Sequence, residues 1–276
     1  MIKFPGKRAL VACVNDYLRV RANCLFVLST GRVGTTTLTH LLSLNPRVYA
    51  THEPEPLFLE ETKDAYQRPR LSTPVANHFV TVFLSCRRGR MIVSHWQNKL
   101  YAECSNRLTY VAPVLANNFP RAKFVFLYRH PGEVVRSGMR RNYYRGHLCD
   151  PYRITPLEND PYYSQWPHWD AFRKTCWYWR AVNSWSRDIA NDLGSERVFR
   201  LSFEELIGDT EQVGRRLFEW LGMECPAPSS IQEIVQAKYN AQDSGNFPRY
   251  EEWTDEQKAT MATIVEPLAS QLGYRL

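Results

Sequence analysis

The chain has no apolar run that approaches the roughly 18–20 residues needed to cross a bilayer. Its basic N-terminus leads into the short apolar stretch Val11–Val14, which Asn15 and Asp16 interrupt, and no small-residue cleavage site follows. A secretory signal peptide is therefore not predicted. These absences predict a cytoplasmic protein without a membrane span.

Paired cysteines and repeats are also absent. The 276 residues include seven cysteines, an odd count at wide spacings with no Cys-x-x-Cys, so neither a disulfide framework nor a zinc motif is predicted. Hydrophobic residues make up 44% and charged residues 23% of the sequence, which is ordinary for a globular protein. With no internal repeat and no low-complexity linker, we expect residues 1–276 to form a single domain.

Acidic side chains are fewer than basic ones, and the formal net charge is +7. Such a charge is consistent with a solvated surface, with an anionic ligand or with nucleic acid. Because the basic residues are scattered and no recognised nucleic-acid-binding motif is present, we expect no nucleic-acid partner. The charge alone does not decide between the two remaining explanations.

The chain does contain short apolar segments that alternate with helical patterns. The segments predicted as buried strands are Leu25–Ser29, Arg47–Thr51, Lys99–Glu103, Lys123–Tyr128 and Arg197–Ser202. Helices are predicted at 35–44, over most of 56–98 with breaks at Pro69, Pro74 and Gly89, and at 108–118, 132–144, 170–193, 210–221, 229–240 and 255–272. This alternation predicts an α/β fold with a central, mostly parallel five-stranded sheet flanked by helices. Ligands of such sheets bind at the carboxyl ends of the strands.

A glycine-containing turn joins the first predicted strand to a helix. Gly31 and Gly34 let backbone N–H groups turn toward an anion, the helix N-terminus adds partial positive charge, and the threonines at 35–37 add hydroxyl donors. A nucleotide triphosphatase loop would need a lysine after its last glycine, and no lysine follows Gly34. The segment therefore predicts a phosphate site of another type.

A second basic segment follows the fourth predicted strand. Arg129 stands at the strand end, Pro131 marks the start of a helix, and Ser137 comes eight positions after Arg129. A guanidinium group suits phosphate, and the serine adds a hydroxyl. A magnesium-dependent kinase or ATPase would need an aspartate at this strand end. We therefore expect a second phosphate contact and no metal ion.

Together the two segments resemble those of the sulfotransferases that use 3′-phosphoadenosine 5′-phosphosulfate (PAPS), of the soluble bacterial or small-molecule type with a P-loop-like fold. The resemblance implies that PAPS is the sulfuryl donor, that PAP is its product and that no metal takes part. Residues 200–206 also resemble the family's strand-end segment, in which Phe203 replaces the usual tyrosine and is expected to stack on adenine. Residues 245–250 resemble the late loop that folds over the 3′-phosphate. The cofactor-binding residues that the resemblance implies are Gly31, Arg32, Val33, Gly34, Thr35, Thr36, Thr37, Arg129, Ser137, Phe203 and Arg249.

The resemblance also implies catalytic groups at the sheet rim. Arg32, where some family members carry lysine, takes the place that stabilises the leaving oxygen. Glu53 is the first candidate for the base that deprotonates the acceptor, followed by His52 and then Glu103, all near the ends of the second and third predicted strands. Pro54 predicts extended backbone at Glu53, so Glu53 and His52 should point in opposite directions.

Aromatic residues are dense between residues 143 and 185, and we expect those in the irregular stretch 145–167 to line or cover the acceptor pocket. Aromatic walls suit aromatic, apolar or cationic acceptors better than anionic polysaccharides. The main hypothesis is thus sulfuryl transfer from PAPS to a hydroxyl or amine of a small molecule, as in natural-product tailoring. A carbohydrate or lipid sulfotransferase is the alternative hypothesis, and a P-loop kinase is less favoured. The sequence does not specify the oligomeric state.

Overall fold

The computed structural model describes residues 6–68, 73–236 and 245–276. Five strands form one sheet in the order β2-β3-β1-β4-β5, and every neighbouring pair is parallel. The strands are β1 (Cys24–Leu28), β2 (Val48–His52), β3 (Leu100–Cys104), β4 (Lys123–Tyr128) and β5 (Val198–Ser202). The predicted α/β class with a five-stranded sheet is confirmed, and the sheet is parallel throughout. The single-domain organisation of residues 1–276 stays a prediction.

The strands are apolar runs because both faces of the sheet are covered. All residues of β1 and β3 are buried, as are the middle four residues of β4. From β1 the chain crosses to β2 on one side, whereas from β3 it crosses to β4 on the other side of β1. The direction of the connections therefore reverses between β1 and β4, and a ligand crevice is expected at the carboxyl ends of these two strands.

Helices cover the sheet. In the described part of the chain they are α1 (Lys7–Arg21), α2 (Thr35–Ser43), α3 (Leu59–Gln67), α4 (Thr73–Trp96), α5 (Ala112–Asn118), α6 (Pro131–Arg140), α7 (Ala171–Leu193), α8 (Phe203–Gly208), α9 (Thr210–Leu221), α10 (Pro228–Gln236), α11 (Asp255–Val265) and α12 (Leu268–Gln271). The sequence did not predict α1. The predicted break at Gly89 is wrong, because an isolated glycine lowers helix stability without ending a helix, and α4 continues to Trp96. Pro69 lies outside the described residues, and Pro74 is in the first turn of α4, where proline is tolerated.

Phe26 of β1 stands at the centre of the core. Its ring centroid lies 5.9 Å from that of Phe83, 6.5 Å from that of Phe119 and 5.8 Å from that of Phe124. Phe83 belongs to α4, and Phe119 directly follows α5, so these contacts fasten both helices to the sheet. Aromatic pairs contribute about 0.5–1.5 kcal/mol each beyond the burial of their area. A sheet packed in this way fixes the loops at its carboxyl rim.

Candidate active site

The loop after β1 turns sharply before α2 begins at Thr35. Gly31, Arg32 and Gly34 have φ angles of 74°, 62° and 88°, which lie in the left-handed region. At Gly34 a Cβ atom would lie 2.6 Å from the ring of Phe203, so a side chain there would collide with the ring. Such a turn gathers backbone N–H groups and the N-terminus of α2 on one concave surface that suits an anion.

The side chains predicted to hold the cofactor in this loop differ in exposure. Val33 is fully buried, so only its backbone is available to a ligand. Thr36 and Thr37 are partly exposed, and a threonine hydroxyl group can both donate and accept a hydrogen bond. The loop therefore presents backbone amides and hydroxyl groups at its surface, while the Val33 side chain is buried.

The two predicted phosphate segments meet in the crevice between β1 and β4. Arg32 Nε donates a hydrogen bond to Ser137 Oγ at 3.2 Å, and Arg129 Nη1 donates to the carbonyl oxygen of Arg32 at 3.4 Å. Burial, followed by the nearby charge of Arg141, lowers the pKa of Arg32, but an arginine stays cationic at neutral pH. The crevice thus concentrates positive charge and hydroxyl groups in one place.

Arg129 lies between an aromatic ring and a carboxylate. Its guanidinium carbon is 4.2 Å from the centroid of the Phe203 ring, and its Nη2 is 2.8 Å from Glu133 Oε2. Trp179 Nε1 donates to the carbonyl oxygen of Arg129 at 2.9 Å. These contacts hold both the side chain and the backbone at the strand end. Phe203, expected to stack on adenine, therefore lies in the crevice between Gly34 and Arg129.

The late loop predicted to cover the 3′-phosphate packs against α6. Arg140 Nε donates to the carbonyl oxygen of Gly245 at 3.0 Å, and the ring of Tyr250 lies 4.7 Å from that of His130 at the start of the helix. Arg249 itself is exposed. The loop thus approaches the carboxyl end of β4, and a contact of Arg249 with a ligand stays a prediction.

His52, the last residue of β2, faces the phosphate loop. Its Nε2 lies 3.0 Å from Thr35 Oγ1 and 3.2 Å from Thr36 Oγ1. Burial lowers the pKa of His52, against the opposing effect of the Glu53 carboxylate. The imidazole is therefore neutral near pH 7 and can accept a hydrogen bond from one of the two hydroxyl groups.

Glu53 adopts a conformation that the sequence did not predict. Its φ is 41°, so the extended backbone expected from Pro54 is wrong. Tertiary contacts of the loop outweigh the local restriction, and one of them is the hydrogen bond from the Glu53 N–H to the carbonyl oxygen of Cys104 at 3.4 Å. Burial lowers the pKa of both His52 and Arg32, and the nearby Glu53 carboxylate opposes that lowering in each case. The charge of Glu53 therefore acts on both the neighbouring candidate base and the phosphate loop.

Glu103 lies inside β3 and is only 1% exposed. Arg87 of α4 donates to both carboxylate oxygens, at 2.9 and 3.0 Å, and Tyr101 Oη donates to Oε2 at 2.6 Å. The sequence placed Glu103 at the rim because the predicted strand ended one residue too early. A carboxylate enclosed by these partners has no access to an acceptor, which favours a structural role for Glu103 over that of a base.

Arg87 connects this buried carboxylate to the loop that follows β2. Its guanidinium group donates to the carbonyl oxygens of Pro54, Glu55 and Pro56 at 2.7, 2.8 and 2.9 Å. Arg87 is itself completely buried. Sequence reasoning missed it, because an arginine within a predicted helix shows no sign of a partner on a strand 16 residues further along the chain.

Residues behind the phosphate loop were also missed. Thr109 Oγ1 accepts a hydrogen bond from the backbone N–H of Ser29 at 3.0 Å, and Tyr178 Oη donates to the carbonyl oxygen of Thr30 at 3.1 Å. Both contacts satisfy backbone groups that the turn leaves without strand partners. No periodic or spacing signal in the sequence links these residues to the loop.

The aromatic segment expected to cover the acceptor has two parts. In the first, the Arg153 guanidinium lies 3.3 Å from the centroid of the Tyr143 ring and pairs with Asp150 at 2.8 Å. In the second, Trp166 packs on Trp177 of α7, with ring centroids 4.9 Å apart, and so belongs to the core packing. A cleft of ≈ 590 Å³ runs along the segment and is lined by Tyr144, Gly146, His147, Leu148, Asp150, Pro151, Thr155, Trp166 and Lys174.

The described residues contain neither a candidate metal site nor a candidate membrane span. Across 6–68, 73–236 and 245–276, no group of three or more histidine, cysteine or carboxylate side chains is placed to hold a metal ion. In the same ranges, no helix has the length and apolar character needed to cross a membrane. The metal-free reaction and the cytoplasmic location stay predictions.

The chain belongs to the sulfotransferase family, whose sequence profile matches residues 24–227. The matched region contains all five strands, both phosphate segments and the candidate bases. The protein is therefore a transferase. No curated protein sequence matches the chain.

The fold agrees with solved sulfotransferase structures. The sulfotransferase domain from the curacin biosynthetic pathway is 15% identical, with a TM-score of 0.56 over 92% of this chain and 99% of that domain. The sulfotransferase domain of the Synechococcus PCC 7002 olefin synthase is 17% identical, with a TM-score of 0.56 over 93% and 96% of the two chains. The sulfotransferase from Alicyclobacillus acidocaldarius is 18% identical, with a TM-score of 0.51 over 91% and 96%. At these identities the similarity shows the fold alone.

Proposed function

We propose that this enzyme transfers a sulfuryl group from PAPS to a hydroxyl or amine of a small-molecule acceptor, as in the tailoring of natural products. The observation that carries the proposal is the hydrogen bond from Arg32 Nε to Ser137 Oγ at 3.2 Å. It joins the loop before α2 to the segment after β4 in one crevice. PAPS carries a 5′-phosphosulfate and a 3′-phosphate, so its site needs two anion-binding positions on one surface.

The residues in the crevice fit the chemistry of this donor. Residues 31–37 provide backbone amides, threonine hydroxyl groups and the N-terminus of α2 for the 5′-phosphosulfate. Arg129 and Ser137 provide the cation and the hydroxyl for the 3′-phosphate, with Arg249 as a further contact from the late loop. Phe203 offers an aromatic face for adenine. When bound, PAPS supplies the sulfuryl group that is transferred.

We assign the catalytic base to Glu53. Its carboxylate forms no hydrogen bond or ion pair within residues 6–68, 73–236 and 245–276, yet its charge reaches Arg32, where it opposes the lowering of the pKa by burial. His52 Nε2, in contrast, already contacts Thr35 and Thr36, so His52 fits the role of orienting the loop. Glu53 accepts the proton of the acceptor hydroxyl or amine, and Arg32 stabilises charge on the oxygen that leaves sulfur.

A thermal shift experiment tests the donor. PAP should raise the melting temperature without divalent metal, by mass action, whereas ATP with Mg²⁺ should raise it less. Replacing Arg129 with alanine should weaken PAP binding about 10–100-fold, the worth of a hydrogen bond to a charged group, and should weaken AMP binding much less, because AMP lacks the 3′-phosphate. Arg121→Ala, an exposed arginine before β4, is the matched control and should change neither affinity.

Two outcomes would contradict the proposal. A melting temperature that does not respond to millimolar PAP, in protein shown to be folded, would exclude PAPS as the donor. Equal weakening of PAP and AMP binding by Arg129→Ala would mean that Arg129 does not contact the 3′-phosphate.

A further inference from the structure

Helix α1 is apolar on two opposite sides. Toward the sheet it buries Leu18 and Ala22, which are 1% and 2% exposed. On the side that faces away, Leu10, Tyr17 and Val20 are 56%, 52% and 57% exposed. Residues 10, 13, 17 and 20 recur at helical spacing, so these side chains form one continuous apolar stripe on the outer face. An outer face of a surface helix is normally polar.

The stripe continues onto the end of α4. Trp96 is 80% exposed and Val93 is 46% exposed, although burial of a large aromatic side chain is energetically favourable. Tyr17 Oη forms a hydrogen bond with His95 Nε2 at 2.9 Å, which places the two helices side by side. A groove of ≈ 220 Å³ lies between them. We call Leu10, Tyr17, Val20, Val93 and Trp96 the α1/α4 surface.

Arginines occur along α1 and beside its end, and carboxylates are nearly absent from α1 and α4. Asp16 is the one carboxylate in the sequence of 6–23 and 73–102, and Arg19 lies 3.6 Å from it. Arg8 and Arg21 are exposed on α1. Arg121 is exposed beside the helix end, where its Nη1 donates to the carbonyl oxygen of Arg21 at 3.4 Å. The charge complement of this surface is therefore anionic.

Part of the α1/α4 surface lies near the amino ends of the strands, away from the crevice. Helix α1 ends at Arg21 just before β1 begins, and α4 ends at Trp96 just before β3 begins. Both helix ends, and the apolar side chains on them, are therefore near the amino ends of the strands. The phosphate segments follow the carboxyl ends of β1 and β4.

We propose that the α1/α4 surface binds the face of an anionic lipid bilayer. Helix α1 lies in the plane of the headgroups, with its apolar stripe toward the acyl chains and its arginines on the phosphates. Tyr17 and Trp96 suit this boundary, because each ring combines a large apolar area with a polar group. Association of two copies through this surface would bring arginines against arginines, which disfavours it.

The α1/α4 surface is separate from the proposed donor site. None of the proposed donor-binding residues belongs to α1 or α4. Donor binding and lipid binding should therefore be independent, because the two sites share no residue. The proposal does not depend on the identity of the sulfuryl acceptor.

Flotation of the full chain with vesicles tests the proposal. Vesicles of phosphatidylcholine with added phosphatidylglycerol should bind the protein, and added salt should release it. Trp96→Ala should reduce the partition coefficient about tenfold or more, and Arg21→Gln should reduce it about fivefold. Leu148→Ala, which removes an apolar side chain that is 91% exposed elsewhere, is the matched control and should leave it unchanged. PAP binding should be the same with and without vesicles.

Several results would overturn the proposal. They are absence of binding to the anionic vesicles, equal binding by the Trp96→Ala protein, and equal binding to vesicles of phosphatidylcholine alone. A dimer in solution that Trp96→Ala converts to monomer would mean that the surface is an interface between copies of the chain. Because all these variants are at exposed positions and PAP binding is measured in parallel, a folding defect would be recognised separately.

Discussion

Replacement of Arg87 by methionine should be among the most destabilising single changes in this protein. Methionine keeps much of the volume but removes every donor of the guanidinium group. Among the described residues, the Glu103 carboxylate then keeps the Tyr101 hydroxyl as its one donor, and three loop carbonyl oxygens lose their contact with Arg87. Removing one partner of a buried ion pair costs about 3–5 kcal/mol, because an uncompensated charge stays buried.

Urea denaturation measures this cost. The midpoint for Arg87→Met should fall strongly while the slope with urea stays the same. Arg88→Met is the matched control, because Arg88 is the next residue of α4, is partly exposed and donates to Asn15 at 3.3 Å. Its cost should stay within about 0.5 kcal/mol. A cost below about 1 kcal/mol for Arg87→Met would refute the buried network.

A double variant separates the buried charge from the lost loop contacts. Glu103→Gln in the Arg87→Met background removes the uncompensated charge, and the glutamine carbonyl can still accept from Tyr101. The double variant should therefore be more stable than Arg87→Met alone, with a coupling of about 0.5–3 kcal/mol. Strict additivity of the two changes would mean that Arg87 and Glu103 do not stabilise each other.

Three further predictions concern the phosphate loop and its neighbours. Gly34→Ala should destabilise the fold by about 1–3 kcal/mol and weaken PAP binding, because φ is 88° and the ring of Phe203 is 2.6 Å from the added carbon. Gly89→Ala, in open space within α4, should instead stabilise the protein by about 0.5–1 kcal/mol in urea denaturation. Glu53→Gln should lower turnover about 10²–10⁴-fold with nearly unchanged PAP affinity, and near-normal turnover would reassign the base. Burial holds the pKa of His52 below its ordinary value of 6.5, so the unfolded chain takes up a proton first as pH falls, and folding stability is lost below about pH 6.5. His52→Gln should reduce that loss of stability in thermal melts. An identical pH profile for the variant would contradict the lowered pKa.

The strands could be predicted from the sequence because each is a short apolar run between turn signals. Lys123–Tyr128 matches β4 at both ends, and the other four predicted strands differ from the observed ones by one residue at each displaced end. The same runs located the phosphate segments, since both follow the carboxyl end of a strand. The strands, and the segments that directly follow them, could therefore be located from local sequence alone.

Helix α1 could not be recognised in this way. Its apolar residues lie on two sides of the helix, so no single stripe separates a core face from a solvent face. The polar pair Asn15 and Asp16 interrupts the apolar run without ending the helix. A helix that binds something besides its own sheet departs from the pattern on which sequence prediction depends.

The backbone conformation of the candidate base Glu53 depends on tertiary contacts, which sequence patterns do not reveal. Glu53 and Arg32 are both non-glycine residues in the left-handed region, at φ 41° and 62°. Such conformations cost about 1–3 kcal/mol each and persist only where the surrounding structure enforces them. At Glu53 the enforcing contacts come from Arg87, whose guanidinium group holds the carbonyl oxygens of the three following residues.

With Glu53 as the proposed base, we expect the buried network to link stability to catalysis. Because Arg87 fixes the loop after β2, the position of the Glu53 carboxylate relative to Arg32 is set by an ion pair beneath the rim. Loss of Arg87 should then lower turnover in protein that is still folded, while PAP affinity changes little, since the donor-binding residues follow β1 and β4. An Arg87→Met protein that is folded at the assay temperature and retains normal turnover would show that Glu53 finds its position without this support.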